Sequence, residues 1–167
     1  MLTLLPPTTF SAREIEIFRQ EFITAGDKLH GSEGLRRMEA ADWLRERPWL
    51  KFPGNFTFLS YDDIEDTIIG CIRCTLANSA SGLLNGAYNI GYAIRPTQRN
   101  KGYGTGQLHL ALAFLESFGD QECALAAADH NNIASQKTME NCGGVRVWDT
   151  GDHYVYKFSF NKERTVF

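Results

Sequence analysis

The stretch RNKGYGTGQLHLALAFLESFG, from Arg99 to Gly119, decides how the chain reads. Gly102, Gly104 and Gly106 stand at alternate positions, Arg99 and Lys101 precede them, and an apolar-periodic run follows. Leu108, Ala111, Leu112, Leu115 and Phe118 recur at helical spacing, with Leu110 and Phe114 beside them, and Gly119 is a natural stop. A helix start presents backbone N–H groups without intrahelical partners, at the positive end of the helix dipole. An anion docks well there. Glycine keeps side chains out of a phosphate's way and permits left-handed dihedrals. The stretch is therefore predicted to be a strand-to-helix turn that holds a phosphate.

Two familiar phosphate loops do not fit. A P-loop needs G-x-x-x-x-G-K-[ST], and no Gly-Lys here is followed by Ser or Thr. A dinucleotide fingerprint needs a third glycine where Gln107 stands, and it belongs early in a doubly wound sheet. What remains is R-x-x-G-x-G, spelled Arg99-Asn100-Lys101-Gly102-Tyr103-Gly104.

Outward from that turn, the chain predicts one mixed sheet. Residues 2–5 form a short apolar strand that Pro6 and Pro7 end. Ser11 and Glu14 make a capping box, Phe10 with Ile15 the hydrophobic staple beside it, and Ile15, Phe18 and Phe22 follow at helical spacing. A second helix is predicted from Gly31 to Pro48, with Ser32 as its cap. Phe56–Tyr61, Thr67–Leu76 and Ala87–Pro96 read as three strands of an antiparallel meander, with a loop at ANSASGLLNG. After the glycine turn and its helix, Cys123–Ala128 reads as a buried strand. A short helix capped by Asn131 or Asn132 and ended by Gly143 follows, then two strands around Thr150-Gly151-Asp152 and a tail, NKERTVF. The order β-α-α-β-β-β-α-β-α-β-β is an α+β fold: a mixed sheet flanked by helices, in one domain spanning residues 1–167.

Composition narrows the partners. The net charge of −3 and pI of about 5.8 leave no long-range basic field to gather nucleic acid. The start lacks a positive n-region, and no apolar run approaches the roughly 20 residues that cross a bilayer, so the chain reads as cytoplasmic, with no membrane partner. Cys71 and Cys74 form a C-x-x-C, but they lie in a strand, where residues three apart point to opposite faces. No second close pair completes four ligands, so buried thiols, rather than a metal, account for all four cysteines.

With GYAIRPTQRNKGYGTG (Gly91–Gly106) and NNIASQKTMENCGG (Asn131–Gly144) in this order, the chain resembles the GCN5-related N-acetyltransferase (GNAT) superfamily, and within it a branch of bacterial acetyltransferases. The resemblance implies acetyl-CoA as co-substrate. Asn100 to Thr105 would meet its pyrophosphate through backbone N–H groups: Asn100, Lys101, Gly102, Tyr103, Gly104 and Thr105. Arg99 would open the motif. The preceding strand, at Tyr92, Ala93 and Ile94, would carry a bulge and pair with the pantetheine arm, splaying from the strand of Ala124–Ala128. Asn132, with Ser135 one turn on, would reach the same arm; as bare sequence the two are a helix cap and its neighbour.

The implied reaction is direct acetyl transfer to a primary amine of a small molecule or peptide, with an oxyanion donor on the strand near Ile94. Homodimers are common in the family. The family's acid, a tyrosine seven positions after the motif asparagine, is replaced by Met139, and the stretch Ala124–Ala128 lacks the glutamate that serves some members as base. No acid or base is assigned by the resemblance; Tyr88, Tyr92, Asp129, His130, Tyr154 and Tyr156 are the nearby candidates. His30, Glu33 and Glu39, near the first two helices, are candidates to meet a cationic amine. The missing pair motivates an alternative, a non-catalytic acyl-CoA-binding module.

Overall fold

The predicted strands join into a single seven-stranded sheet. The computed structural model describes residues 1–76 and 88–160; the predicted loop at 77–86 and the tail at 161–167 lie outside them. The strands are β1 (Leu2–Leu5), β2 (Asn55–Asp62), β3 (Thr67–Thr75), β4 (Ile90–Ile94), β5 (Cys123–Asp129), β6 (Val145–Asp149) and β7 (His153–Ser159). The helices are α1 (Ala12–Ala25), α2 (Ala40–Glu46), α3 (Tyr103–Glu116) and α4 (Ile133–Asn141). The sheet order is β1-β2-β3-β4-β5-β7-β6, and every pairing is antiparallel except β4 with β5. That parallel pair needs a crossover, which α3 supplies. The element order and the mixed α+β fold are those the sequence predicts.

Each sheet face buries its own core. α1, α2 and the connection between them cover one face with Phe18, Phe22, Leu35 and Trp43, which meet Leu59, Cys71 and Ala93. α3 and α4 cover the other, where Leu108, Leu115 and Met139 meet Ile72, Cys74, Ala126 and Tyr156. Cys71 and Cys74 thus point to opposite faces, as strand geometry requires, and burial raises both thiols, Cys74 to about 12. Cys123 and Cys142 are only partly buried, so burial does not account for all four cysteines. No group of three or more His, Cys, Asp or Glu side chains suited to a metal ion occurs among the described residues. Nor is any helix among them long and apolar enough to cross a membrane.

α1 begins as read. The Ser11 hydroxyl accepts from Glu14 N–H at 3.3 Å, and the Glu14 carboxylate accepts from Ser11 N–H at 2.8 Å. Phe10 and Ile15 are both buried beside it.

The second predicted helix is shorter than expected. Glu33 and Gly34 take left-handed dihedrals (φ 48° and 90°), and Ser32 Oγ donates to the Leu29 carbonyl instead of capping. A single 3₁₀ turn, Leu35–Arg37, therefore precedes α2, which starts only at Ala40. Of the predicted strand Ala87–Pro96, Ala87 lies outside the described residues, and the strand covers Ile90–Ile94, because Pro96 opens a 3₁₀ turn and registered pairing to β3 begins at Ile90. The bulge expected on β4 is not in its pairing with β3, which runs in constant register from Ile90 to Ile94. The register instead shifts between Ser60 and Tyr61 of β2. There the β3 partners jump from Gly70 to Ile68, which moves Ile68 onto the face of Cys71.

Candidate active site

The parallel pair at the middle of the sheet is barely joined. β4 and β5 share one registered position, Ile90 with Ala126, and then part. A cleft of about 750 Å³ opens where they part. Its walls come from the end of β4, the turn before α3, the start of α4, the end of β5 and the connection leaving α1.

α3 starts at this cleft without a cap of its own. Gly102 is its N-cap, with φ 81° and no side-chain hydrogen bond to the first turn. The first helical backbone bond is from Gly106 N–H to the Gly102 carbonyl, so the N–H groups of Tyr103, Gly104 and Thr105 precede the helical ladder. With the positive end of the dipole, they form an anion cradle. The three glycines have separate reasons. Gly102 needs its positive φ, since a Cβ there would meet nothing within 4 Å. A Cβ on Gly104 would lie 3.3 Å from Thr138 Oγ1 of α4, and one on Gly106 would lie 3.2 Å from Leu2 of β1. Gly106 is therefore a packing residue outside the cleft.

Arg99 serves the shape of the turn. Its Nε donates to the Ile94 carbonyl at 3.1 Å and its Nη1 pairs with Asp27 at 2.6 Å, tying the turn to β4 and to the end of α1. Asn100 follows at φ 61°, a left-handed position that Asn tolerates. The other side of the cleft is α4. Asn132 Oδ1 accepts from Ser135 N–H at 3.1 Å and caps the helix, resolving the choice between Asn131 and Asn132. The Ser135 hydroxyl lies 2.9 Å from the Tyr92 hydroxyl, bridging β4 to α4 across the cleft. Burial holds the Tyr92 phenol above its ordinary value, against hydrogen bonds from Ser135 and Thr138 that pull it down, so Tyr92 is an O–H at neutral pH.

Ten of the expected residues line the cleft: Tyr92, Ala93, Ile94, Arg99, Asn100, Gly102, Gly104, Thr105, Asn132 and Ser135. Lys101 and Tyr103 are not among the lining residues. Lys101 Nζ donates to Gln98 Oε1 at 2.9 Å, and Tyr103 faces Asp62 of β2. The sequence reading missed Lys137 and Thr138, which join the lining from α4, Thr138 on the helical face of Ser135. The signal was present, since Ser135 and Thr138 stand three apart. It also missed Gln107, fully buried, which bonds Ser60 and the Cys71 carbonyl and ties α3 to β2 and β3.

The acid and base candidates divide. Met139 is buried in the core and has no access to the cleft chemistry. Tyr88 bonds His153 at 2.7 Å. His130 bonds Asp149 at 2.8 Å and stacks on Tyr154, while buried Tyr156 donates to Glu140. Of the acceptor-side candidates, Glu33 pairs with Arg73 at 3.4 Å and Glu39 occupies the N-cap position of α2. Tyr92, Asp129 and His30 line the cleft itself.

With this geometry in view, the comparisons are consistent with one another. The model of the acetyltransferase (GNAT) domain family matches residues 2–145. Among solved structures, the Campylobacter jejuni N-acetyltransferase PseH in complex with acetyl coenzyme A is similar at 15% identity, over 96% of this chain and 100% of that chain, with a TM-score of 0.65. Aminoglycoside acetyltransferase AAC(6')-Ib in complex with coenzyme A and kanamycin is similar at 14% identity, over 94% and 93%, with a TM-score of 0.65. The ribosomal-protein-S5-alanine acetyltransferase of Vibrio fischeri is similar at 15% identity, over 96% and 93%, with a TM-score of 0.61. A search of curated proteins gives no match. The chain belongs to the GNAT acetyltransferase family, whose members take their acetyl group from acetyl-CoA.

Proposed function

We propose that the protein is an N-acetyltransferase that moves the acetyl group of acetyl-CoA directly to a primary amine of a small molecule or peptide. The observation that carries this reading is the bare, glycine-started α3 opening onto the cleft between the parted β4 and β5. The backbone N–H groups from Gly102 to Thr105 would hold the pyrophosphate, with Lys137 adding charge on the far wall. The β4 edge at Tyr92–Ile94, freed from β5, would pair with the pantetheine arm as an added strand, and Asn132 and Ser135 would meet that arm from α4. Bound there, acetyl-CoA supplies an activated acyl group. The chain's own residues place it beside the acceptor, and that placement supplies much of the rate.

An acceptor amine enters where Asp129 and the connection after α1 meet the cleft, and the negative charge of Asp129 suits an ammonium. The neighbours' acceptors, an aminoglycoside in one case and a ribosomal-protein alanine in another, differ too much to choose one here. Calorimetry with acetyl-CoA tests the first half of the proposal, and absence of binding at millimolar ligand ends it. Thiol release with kanamycin, spermidine and trialanine tests the second half.

The buried Met139 favours one other reading, a module that binds acyl-CoA without transferring the acyl group. Tight binding with no thiol release from any amine distinguishes it.

A further inference from the structure

The connection between α1 and α2 is pinned against the sheet on both sides of one histidine. On one side, Asp27 N–H donates to the Phe22 carbonyl at 2.9 Å, and its carboxylate pairs with Arg99 at 2.6 Å. Leu29 is buried in the core, and its carbonyl accepts from Ser32 Oγ at 2.8 Å. On the other side, Gly31 lies directly on β4. A Cβ there would collide with the Gly91 carbonyl oxygen and stand 3.0 Å from the Arg73 backbone nitrogen. Gly31 also has φ 73°, and its carbonyl accepts from Cys71 Sγ at 3.1 Å. His30, between these anchors, lines the cleft with Tyr92 and Ala93, while Asp129 lines it from the end of β5.

We propose that His30 is the catalytic residue that takes the proton from the acceptor's ammonium, with Asp129 drawing that ammonium into place. This rests on the amine acetyl-transfer reading above. An imidazole nitrogen bonds the proton as one N–H bond of the ammonium breaks. The freed lone pair forms the C–N bond to the thioester carbonyl carbon, the C–S bond breaks, and the nitrogen's second proton goes to the departing sulfur. His30 returns its proton to water, so ammonium and thioester give amide, thiol and one proton.

The surroundings suit a base. Partial desolvation, then the charge of Lys28, hold the His30 imidazolium below its ordinary 6.5, although the residue stays exposed at the mouth of the cleft. Asp129 pulls the other way and Arg73 of β3 adds to the lowering. The neutral, proton-accepting form therefore predominates at pH 7.

The test compares wild type, His30→Gln and Asp129→Asn. The measurements are thiol release from acetyl-CoA with kanamycin, spermidine or trialanine across pH 5 to about 9, acetyl-CoA affinity by calorimetry, and NMR titration of the His30 ring in the unliganded protein. In wild type, kcat/KM is expected to fall on the acid side with a midpoint below about 6.5, matching the NMR titration. His30→Gln is expected to lose about 100-fold or more in kcat and to lose that acidic limb, with acetyl-CoA affinity unchanged. Added imidazole should restore part of the rate in His30→Ala.

A His30→Gln enzyme with near-normal kcat and an intact limb overturns the assignment while amine acetylation stands. So does loss of the limb in Asp129→Asn but not in His30→Gln, or a His30 ring titrating well above about 6.5. Binding of acetyl-CoA without thiol release by wild type overturns the transfer reading, and the assignment with it.

Discussion

Two helices begin at the same cleft and solve the problem of their starts in opposite ways. α4 caps itself: Asn132 accepts from Ser135 N–H, so the first turn is satisfied from within the helix. α3 has no side-chain cap, and its N-cap is a glycine at φ 81°. Its entry is held from outside, by Arg99 on Ile94 and Asp27 and by Arg95 on Glu21. A self-capped start is a finished structural element. One braced by its neighbours, with its own N–H groups left over, is shaped to take an acceptor from elsewhere. On the proposed reading, the contrast separates a helix end that would bind by its backbone from one that would contribute a side chain.

The sharpest way to break that contrast is to give α3 side chains at its start. Gly102→Val forces a β-branched residue into a left-handed backbone, and Gly104→Val drives bulk into Thr138 and Ile94. Each is expected to weaken acetyl-CoA at least about 100-fold, roughly 3 kcal/mol by the relation between affinity and free energy, as measured by calorimetry. Unchanged affinity in the double variant would refute the pyrophosphate assignment.

On α4 the cap and the proposed cofactor contact can be pulled apart, because they use different atoms of Asn132. The cap uses Oδ1, which leaves the amide N–H₂ as the proposed donor to the pantetheine arm. Asn132→Asp keeps the cap and loses the donor. It is expected to melt like wild type while binding acetyl-CoA about tenfold more weakly. Asn132→Ala loses both, lowering stability by about 1 kcal/mol as well. Equal acetyl-CoA affinity in wild type and Asn132→Asp would reduce Asn132 to a cap alone.

The same two starts show how far a sequence carries. The capping box of α1, the turn at Gly102 and a cap at Asn131 or Asn132 were legible because each is a local hydrogen-bond or dihedral requirement written within a few residues. The opposed faces of Cys71 and Cys74 were legible for the same reason. The shortened second helix was not, because the left-handed backbone at Glu33 and Gly34 goes with Gly31 packing onto Gly91, some 60 residues away in sequence. Gln107 looked like a missing glycine, yet it is a buried tie whose partners, Ser60 and Cys71, lie on two distant strands. His30 was visible as a candidate, but its place in the cleft depends on Leu29 and Gly31 finding their anchors.

The smallest expected effect tests the outside bracing of α3. Arg95, at the exit of β4, donates to Glu21 of α1 at 2.6 Å, and the Thr97 hydroxyl donates to the same carboxylate at 2.9 Å. Burial alone would raise the Glu21 carboxyl, but those hydrogen bonds and the Arg95 charge outweigh it and hold the group below its ordinary 4.5. A carboxyl lowered in the folded state stabilises the fold fully above its unfolded value, and that stabilisation drains away as pH falls through the lowered folded one. Glu21→Gln is therefore expected to cost about 1.5 kcal/mol at pH 7 in chemical denaturation, and progressively less than that below about pH 4.5. Because the brace positions the turn without touching the cleft's N–H groups, acetyl-CoA affinity should weaken no more than about threefold. A large affinity loss with unchanged stability would mean that Glu21 acts on the cleft directly, and the division between a braced start and a self-capped one would have to be redrawn.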